Sequence, residues 1–384
     1  VRIAHVITDL EVGGAQIMLQ RLVARLQASG VENSVISLSR AGSQPAEVTR
    51  NGVTLHHLDM TPNRPSASAF FRLNRLLAAF GPDVVHTWMY HADLLGGIAA
   101  RLSRVAPVVW GIHHTPCASE PLKRVTRFIM RVNSALSSVV PARIVCCAHA
   151  SQTAHRALGY AADRMVVIPN GFDTDAFCPD PTARTSVRCE LGVGPETPLI
   201  GLMARFHPQK DHRTFVLSAA HLMQQSPAVH FVLAGRGVDA RSPTLRKWVD
   251  ATGAPDRFHL LGARSDMPRL MAACDIVSTS SAHGEGLPLV LGEAMSCGVP
   301  CVATDVGDSG LIVGDSGRVV APADAAALAA AWASMLALTT DQRRQLGQRA
   351  RERVVRKYPL ATYVQDHVAL YEGLRRRGNG TRRP

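Results

Sequence analysis

Short runs of β-branched and other apolar residues recur through the first half of the chain, at 3–8, 34–38, 84–87, 108–111, 144–147 and 166–168. Runs this short, with few polar interruptions, suit parallel strands covered on both faces. Between several of them, 16–27, 70–80 and 92–102 carry apolar residues at helical spacing. Such alternation forces parallel strands joined by right-handed crossovers, hence an open, doubly wound α/β sheet. The passage 170–198 breaks the pattern with Pro179, Pro181, Pro195 and Pro198 and with Gly192 and Gly194. The alternation then restarts at 199–203, 229–234, 258–261, 276–279 and 300–303. Two sheets parted by a proline- and glycine-rich passage predict two domains of similar build, 1–178 and 179–358. Helical spacing dominates 324–377 and is interrupted at Pro359. The segment 359–384 is therefore expected to be a C-terminal helix that changes direction and returns to the N-terminal domain, ending in a basic tail.

Composition narrows the function. Hydrophobic residues make up 46% and charged residues 19% of 384, enough to bury sizeable cores. Aromatic residues reach only 5%, which argues against a nucleic-acid binder that stacks on bases. The excess of 42 Lys and Arg over 30 Asp and Glu, a net +12, calls for an acidic partner such as phosphates or an anionic membrane surface. Arg375, Arg376, Arg377, Arg382 and Arg383 concentrate part of that charge near the end of the sequence. Over 120–139 a helical reading puts Lys123, Arg124, Arg127 and Arg131 on one side. Leu122, Val125, Ile129, Val132, Leu136 and Val139 fall mostly on the other. A basic amphipathic helix of this kind can lie on an anionic leaflet, although its apolar stripe can equally pack into its own domain. The eight cysteines include no Cys-x2-Cys pair, so they read as small buried hydrophobes rather than a zinc or redox site. With no signal-like opening and no apolar run of membrane-spanning length, the expectation is a cytoplasmic protein, peripheral on the inner face of the cell membrane.

Candidate chemistry lies mainly in the second half. Arg205 and Lys210 follow one predicted strand and precede a helix, an arrangement of two cations that suits a diphosphate. Further on, Gly284-Glu285-Gly286-Leu287-Pro288 opens a helix that carries Glu293. The glycines let backbone approach a ligand closely, and a carboxylate on the helix can accept hydrogen bonds from paired sugar hydroxyls.

Arg205 and Lys210 followed by Glu285-x7-Glu293 resemble the family 4 retaining glycosyltransferases of GT-B fold. Four further segments match in order: Val12-Gly13-Gly14-Ala15-Gln16, the Pro169-Asn170-Gly171-Phe172-Asp173 turn, Ala234-Gly235-Arg236-Gly237, and Cys297 to Gly307. The resemblance implies two facing Rossmann-like domains with a cleft between them, the N-terminal one on the acceptor side and the C-terminal one binding a nucleotide-sugar. It implies that Arg205 and Lys210 hold and stabilise the leaving diphosphate and that Glu293 binds the ribose. Glu285 would face the transferred sugar, with backbone contacts from Gly286, Leu287 and Pro288. Gly14 would meet the reacting end from the other domain. His113, with His114 as its rival, stands where the family carries a catalytic histidine. The chain departs from the pattern at Asp308, where the family commonly has a second glycine after Gly307.

The implied reaction is a retaining, metal-independent transfer of a hexosyl or N-acetylhexosaminyl unit from a nucleotide-sugar, UDP- ahead of GDP-. The acceptor would be a saccharide or lipid-linked saccharide in cell-surface polysaccharide or glycolipid biosynthesis, with no nucleic acid as partner. No cofactor and no metal are expected. Asp173-Thr174-Asp175 matches an Asp-x-Asp metal motif by accident, since Asp in such a turn commonly bonds its own backbone. A GT-B nucleotide-sugar epimerase is the alternative. A nucleotide-dependent oxidoreductase ranks below it because Gly13-Gly14 is not followed by a full Gly-x-Gly-x-x-Gly.

Overall fold

The computed structural model describes residues 1–40, 52–60, 66–117 and 122–380. Its contacts divide the chain into two units, Val1–Gly171 with Ala361–Pro384, and Phe172–Leu360.

The first unit opens with β1 (Arg2–Ile7), α1 (Gly14–Ala28), β2 (Glu32–Ser37), β3 (Thr54–His57), α2 (Ala67–Phe80) and β4 (Val84–Trp88). It continues through α3 (Tyr90–Leu102), β5 (Val108–Ile112), α4 (Arg124–Leu136), β6 (Arg143–Cys146), α5 (His149–Ala157) and β7 (Met165–Val167). The seven strands pair in parallel in the order β3-β2-β1-β4-β5-β6-β7. Their inward residues, among them Val6, Val85, Trp110 and Ile144, share one core with Leu73, Leu77 and Ala99 from the helices.

The second unit runs α6 (Pro181–Glu190), β8 (Leu199–Met203), α7 (His212–Met223), β9 (His230–Ala234), α8 (Pro243–Asp250), β10 (Phe258–Leu260), α9 (Met267–Ala272) and β11 (Ile276–Thr279). It ends with α10 (Leu289–Ser296), β12 (Cys301–Thr304), α11 (Ser309–Val313), β13 (Arg318–Val320), α12 (Ala325–Leu336) and α13 (Thr340–Lys357). Its six parallel strands are ordered β10-β9-β8-β11-β12-β13 around a core that includes Leu202, Phe215, Phe231 and Trp332. Helix starts are set by side chains that take up free backbone N–H groups. Asp180 accepts from Ala183, Asp324 from Ala327, and Thr339 and Gln342 form a capping box. A last helix, α14 (Leu360–Gly380), begins after the break at Pro359 and, from Ala361, belongs to the first unit.

Both sheets reverse strand order once, between β1 and β4 in the first unit and between β8 and β11 in the second. Ligands of open α/β sheets bind beyond the carboxyl ends of the strands at such reversals.

Two boundaries read from the sequence shift. The contacts put the division at Gly171/Phe172, ahead of 178/179. The Phe172 N–H donates to Tyr358 O (2.9 Å) and the Leu360 N–H to Phe172 O (3.0 Å). Arg351 of α13 donates to the carbonyls of Thr174 (3.1 Å) and Phe177 (3.2 Å), so the segment after Gly171 is laced into the second unit. The helix expected over 120–139 is also shorter, because Lys123 is extended (φ −57°, ψ 141°) and Ser137 caps the other end. Val125 and Val139, placed on the apolar side, are exposed, while Ile129, Met130 and Asn133 face inward. Glu120, Arg382 and Arg383 lie outside the described residues.

The first unit buries an unusual set of histidines: His5 on β1, His86 on β4 and His367 on α14. The Trp88 indole donates to His5 Nδ1 (3.3 Å), which leaves His5 Nε2–H to donate to Asn33 Oδ1 (3.3 Å). His86 Nδ1 lies 2.7 Å from the Tyr371 hydroxyl, and His367 Nδ1 donates to Tyr363 O (2.8 Å). With no carboxylate among these partners, burial pushes His5 down to about 3 and His367 to about 4, and His86 well below the usual range. The folded state thus holds them neutral while the unfolded chain takes up protons at about pH 6.5. Their contribution is complete above that pH and is lost as pH falls. The thermal midpoint should therefore drop between about pH 7 and pH 5, with hydrogen-exchange protection factors falling in α14. A midpoint that holds or rises over that range would contradict the assignment.

Candidate active site

The sequence candidates of the second unit converge at the carboxyl ends of β8 and β11. Past β8 the chain is laced to the loop after β9: Ala204 N–H donates to Ala234 O (2.9 Å) and Phe206 N–H to Arg236 O (2.8 Å). Arg205 is held between these bonds. Gly235 (φ +154°) makes the approach feasible, since a Cβ there would sit 2.2 Å from Ala204 O. The Arg205 Nε is buried and finds no hydrogen-bond partner among the described residues. An orphaned guanidinium N–H is costly unless a ligand completes it.

Lys210 ends a 3-10 turn, Pro208–Lys210, and Asp211 (φ +43°) then caps α7 by accepting from Thr214 N (3.1 Å) and Thr214 Oγ1 (2.6 Å). Two bonds tie this turn to the end of β11: Ser280 Oγ donates to Lys210 O (2.8 Å) and Ala282 N–H to Gln209 O (2.8 Å). The ammonium group of Lys210 is thereby aimed at Glu285 Oε1, with which it forms a largely buried ion pair. Ser281 Oγ donates to the same oxygen (2.6 Å). Burial alone pushes the Glu285 carboxyl up. The Lys210 charge, the hydrogen bonds from Lys210 and Ser281 and the Arg205 charge outweigh it and hold the carboxyl below its ordinary range.

Gly286, Leu287 and Pro288 follow, and Pro288 is the N-cap of α10 rather than a residue of its first turn. Glu293 sits in the second turn of that helix and is buried. The departure at Asp308 leaves this loop intact. Asp308 N–H donates to Gly286 O (2.8 Å), and Gly307 (φ +64°) makes the close approach, with a hypothetical Cβ 2.3 Å from Glu285 O. Asp173 Oδ1 accepts from Asp175 N (3.3 Å) and Ala176 N (3.1 Å), so that carboxylate serves its own turn.

Gly14 and His113 belong to the first unit. Gly14 begins α1 behind Gly13, which offers no side-chain cap. His113 follows β5 and stacks on Trp88 (centroids 4.9 Å apart, planes 16°), and burial pushes it down to about 3. Its rival His114 instead meets Tyr90 edge-on (6.3 Å).

Sequence reasoning missed Ser280 and Ser281, and it placed Gly235 in a family segment without giving it a role. A serine pair directly after an apolar strand was the available signal for the first two. Nothing local marked Gly235 as the support of Arg205, because their contact spans two loops.

Comparison with known proteins agrees with this geometry. The profile of Glycosyltransferase Family 4 matches residues 12–176, and that of Glycosyl transferases group 1 matches residues 197–337. The chain is similar to the D-inositol 3-phosphate glycosyltransferase of Xylanimonas cellulosilytica, 29% identical over 89% of this chain and 86% of that one. It is also similar to the UDP-Gal:alpha-D-GlcNAc-diphosphoundecaprenol alpha-1,3-galactosyltransferase of Escherichia coli, 27% identical over 63% of this chain and 62% of that one. Among solved structures, Anabaena HepE in complex with UDP-glucose superposes with a TM-score of 0.83 at 23% identity, covering 97% of this chain and 100% of that one. The two parallel sheets, the converging site on the second and matches across both halves give one conclusion: the chain belongs to the family 4 glycosyltransferases of GT-B fold.

Proposed function

We propose that this glycosyltransferase moves a hexosyl or N-acetylhexosaminyl unit from a nucleoside diphosphate sugar, UDP- ahead of GDP-, to a saccharide or lipid-linked saccharide. It does so with retention and without a metal ion. The observation that carries the reading is the cluster of Arg205, Lys210 and Glu285 at the strand-order reversal of the second unit. A departing nucleoside diphosphate gathers negative charge, and two fixed cations stabilise that charge in the transition state. The buried Nε of Arg205 supplies a donor with nothing to bond until a phosphate arrives. Glu285 keeps Lys210 in place and offers its second oxygen to a sugar hydroxyl, while Glu293 takes the ribose. The preference for UDP- is supported by the donor in the name of the Escherichia coli relative and by the UDP-glucose complex of the HepE structure. That same relative's name supports a lipid diphosphate acceptor.

Arg205→Ala and Lys210→Ala should each lower turnover by about 10²-fold or more while the thermal midpoint stays above the assay temperature. Near-wild-type turnover in either would remove the reading. Activity should survive excess EDTA, and an α-linked donor should give an α-linked product by NMR. A β-linked product, or activity that returns only with Mg²⁺ or Mn²⁺, would overturn the metal-free, retaining scheme. A histidine with a proton affinity as low as that of His113 works as the neutral ring. His113→Ala should then reduce turnover more than nucleotide affinity, with no new pH dependence between about 6 and 8.

The same reading places the protein at the inner face of the cell membrane. In its support, α4 carries Arg124, Arg127 and Arg131 beside exposed Val125 and Phe128, while Ile129 and Met130 pack inward. Each cation near an anionic surface adds about 1 kcal/mol. Sedimentation with anionic vesicles at low salt should exceed that with neutral vesicles and weaken in Phe128→Ser. Equal sedimentation with both vesicle types would refute this placement.

A further inference from the structure

The helix that carries Glu293 is notched one residue earlier. Gly292 lies inside α10 with an ordinary helical backbone, so it is not needed there for its conformational freedom. A glycine inside a helix weakens it relative to alanine. Its effect is to leave space: a Cβ at 292 would sit 2.2 and 2.4 Å from ring carbons of Phe172, distances that real contacts do not reach. The Phe172 ring is almost wholly buried, and it meets Tyr358 edge-on at 6.3 Å.

That ring cannot retreat. Phe172 is the first residue of the second unit, and its backbone is bonded on both sides to the segment where the chain leaves that unit, N–H to Tyr358 O and C=O to Leu360 N–H. The far end of α10 is fixed as well. Ser296 Oγ donates to Gly292 O (2.6 Å), and Arg351 of α13 donates to Ser296 O. Behind it, Gly347 of α13 packs so closely that a Cβ would lie 1.9 Å from Gly298 O. The helix is therefore held by a ring in its notch on one side and by α13 at its carboxyl end.

We propose that Phe172 is a positioning residue for the nucleotide. Its ring, seated on Gly292, sets where α10 lies and hence where the Glu293 carboxylate meets the ribose. This rests on the reading of Glu293 as a donor-binding group. A side chain added at 292 must push the helix off the ring by about an ångström, and displacements of that size are enough to lose a well-aligned contact. Size at 172 and size at 292 are then coupled, so shrinking the first compensates enlarging the second.

The test is calorimetric titration of the full chain with UDP and with GDP, alongside thermal midpoints. Gly292→Ala should weaken nucleotide binding at least tenfold, Phe172→Leu less, and the double variant Phe172→Leu/Gly292→Ala should return to within about threefold of wild type. A purely structural role would move the midpoint and leave affinity at temperatures where the protein is folded unchanged. Wild-type affinity in folded Gly292→Ala, or a double variant that regains its midpoint without regaining affinity, overturns the inference. Should Gly292→Ala not fold, Phe172→Leu and Phe172→Ala decide, because unchanged affinity in both is equally fatal. A wild-type chain that binds neither nucleotide sinks the donor reading itself, a result distinct from variants that bind as well as wild type.

Discussion

A carboxylate taken out of water stays ionised only if something nearby compensates the lost hydration, and the candidate site of the second unit is organised around that requirement. Glu285 is buried, and Lys210, Ser281 and Arg205 together outweigh its desolvation. Removing a partner would leave the buried charge less fully compensated, which is costly. The surrounding loops therefore have to hold several donors within hydrogen-bond reach at once. Ser280 grips the carbonyl of Lys210, Thr304 Oγ1 donates to Ser281 O (2.7 Å), and Asp308 N–H holds Gly286 O. These restraints come from three successive strand ends, β8, β11 and β12, so the parallel sheet itself supplies the alignment.

The same constraint explains where glycine is needed. Backbone must pass within contact distance of backbone at Gly235 and Gly307, where positive φ and lack of a Cβ are both required. At Gly292 only the missing side chain matters, because an aromatic ring occupies the space. The loops that shape the site thus depend on residues that contribute space rather than functional groups.

Much of this was legible from the sequence because doubly wound sheets announce themselves. Buried parallel strands read as apolar runs, and cap residues such as Asp180 and Asp324 mark where helices begin. The Arg205, Lys210 and Glu285-x7-Glu293 pattern was visible because its spacing is local to two loops. The pairing of Lys210 with Glu285 was not, since nothing in a linear reading says which of several carboxylates a lysine will meet. The extent of α4 was misjudged for a related reason. Helical spacing continues through Lys123 and Val139, but the backbone leaves the helix where extended geometry and a following proline segment take over. Exposure of Val125 and Phe128 could not be read from periodicity, because a half-buried amphipathic helix and a fully packed one share the same pattern.

The electrostatics of the two units also bear on where protons go in the proposed reaction. In the first unit burial without a counter-charge leaves His113 neutral and a weak base. In the second, burial with counter-charges leaves Glu285 ionised but also weakly basic, its carboxyl held low by Lys210. Taken each by itself, neither group has the proton affinity of an effective base near neutral pH, whose pKa lies close to the working range. The departing diphosphate oxygen gains basicity as the glycosidic bond lengthens. Under the proposed retaining scheme the acceptor proton passes to that oxygen on the face from which the acceptor attacks, the new bond forms where the old one breaks, and configuration is kept. Arg205 and Lys210 then have a second requirement beyond binding charge. Under that scheme they must leave one phosphate oxygen free to accept the proton, and the bonds that fix the Lys210 and Arg205 backbones limit how far the two cations can shift.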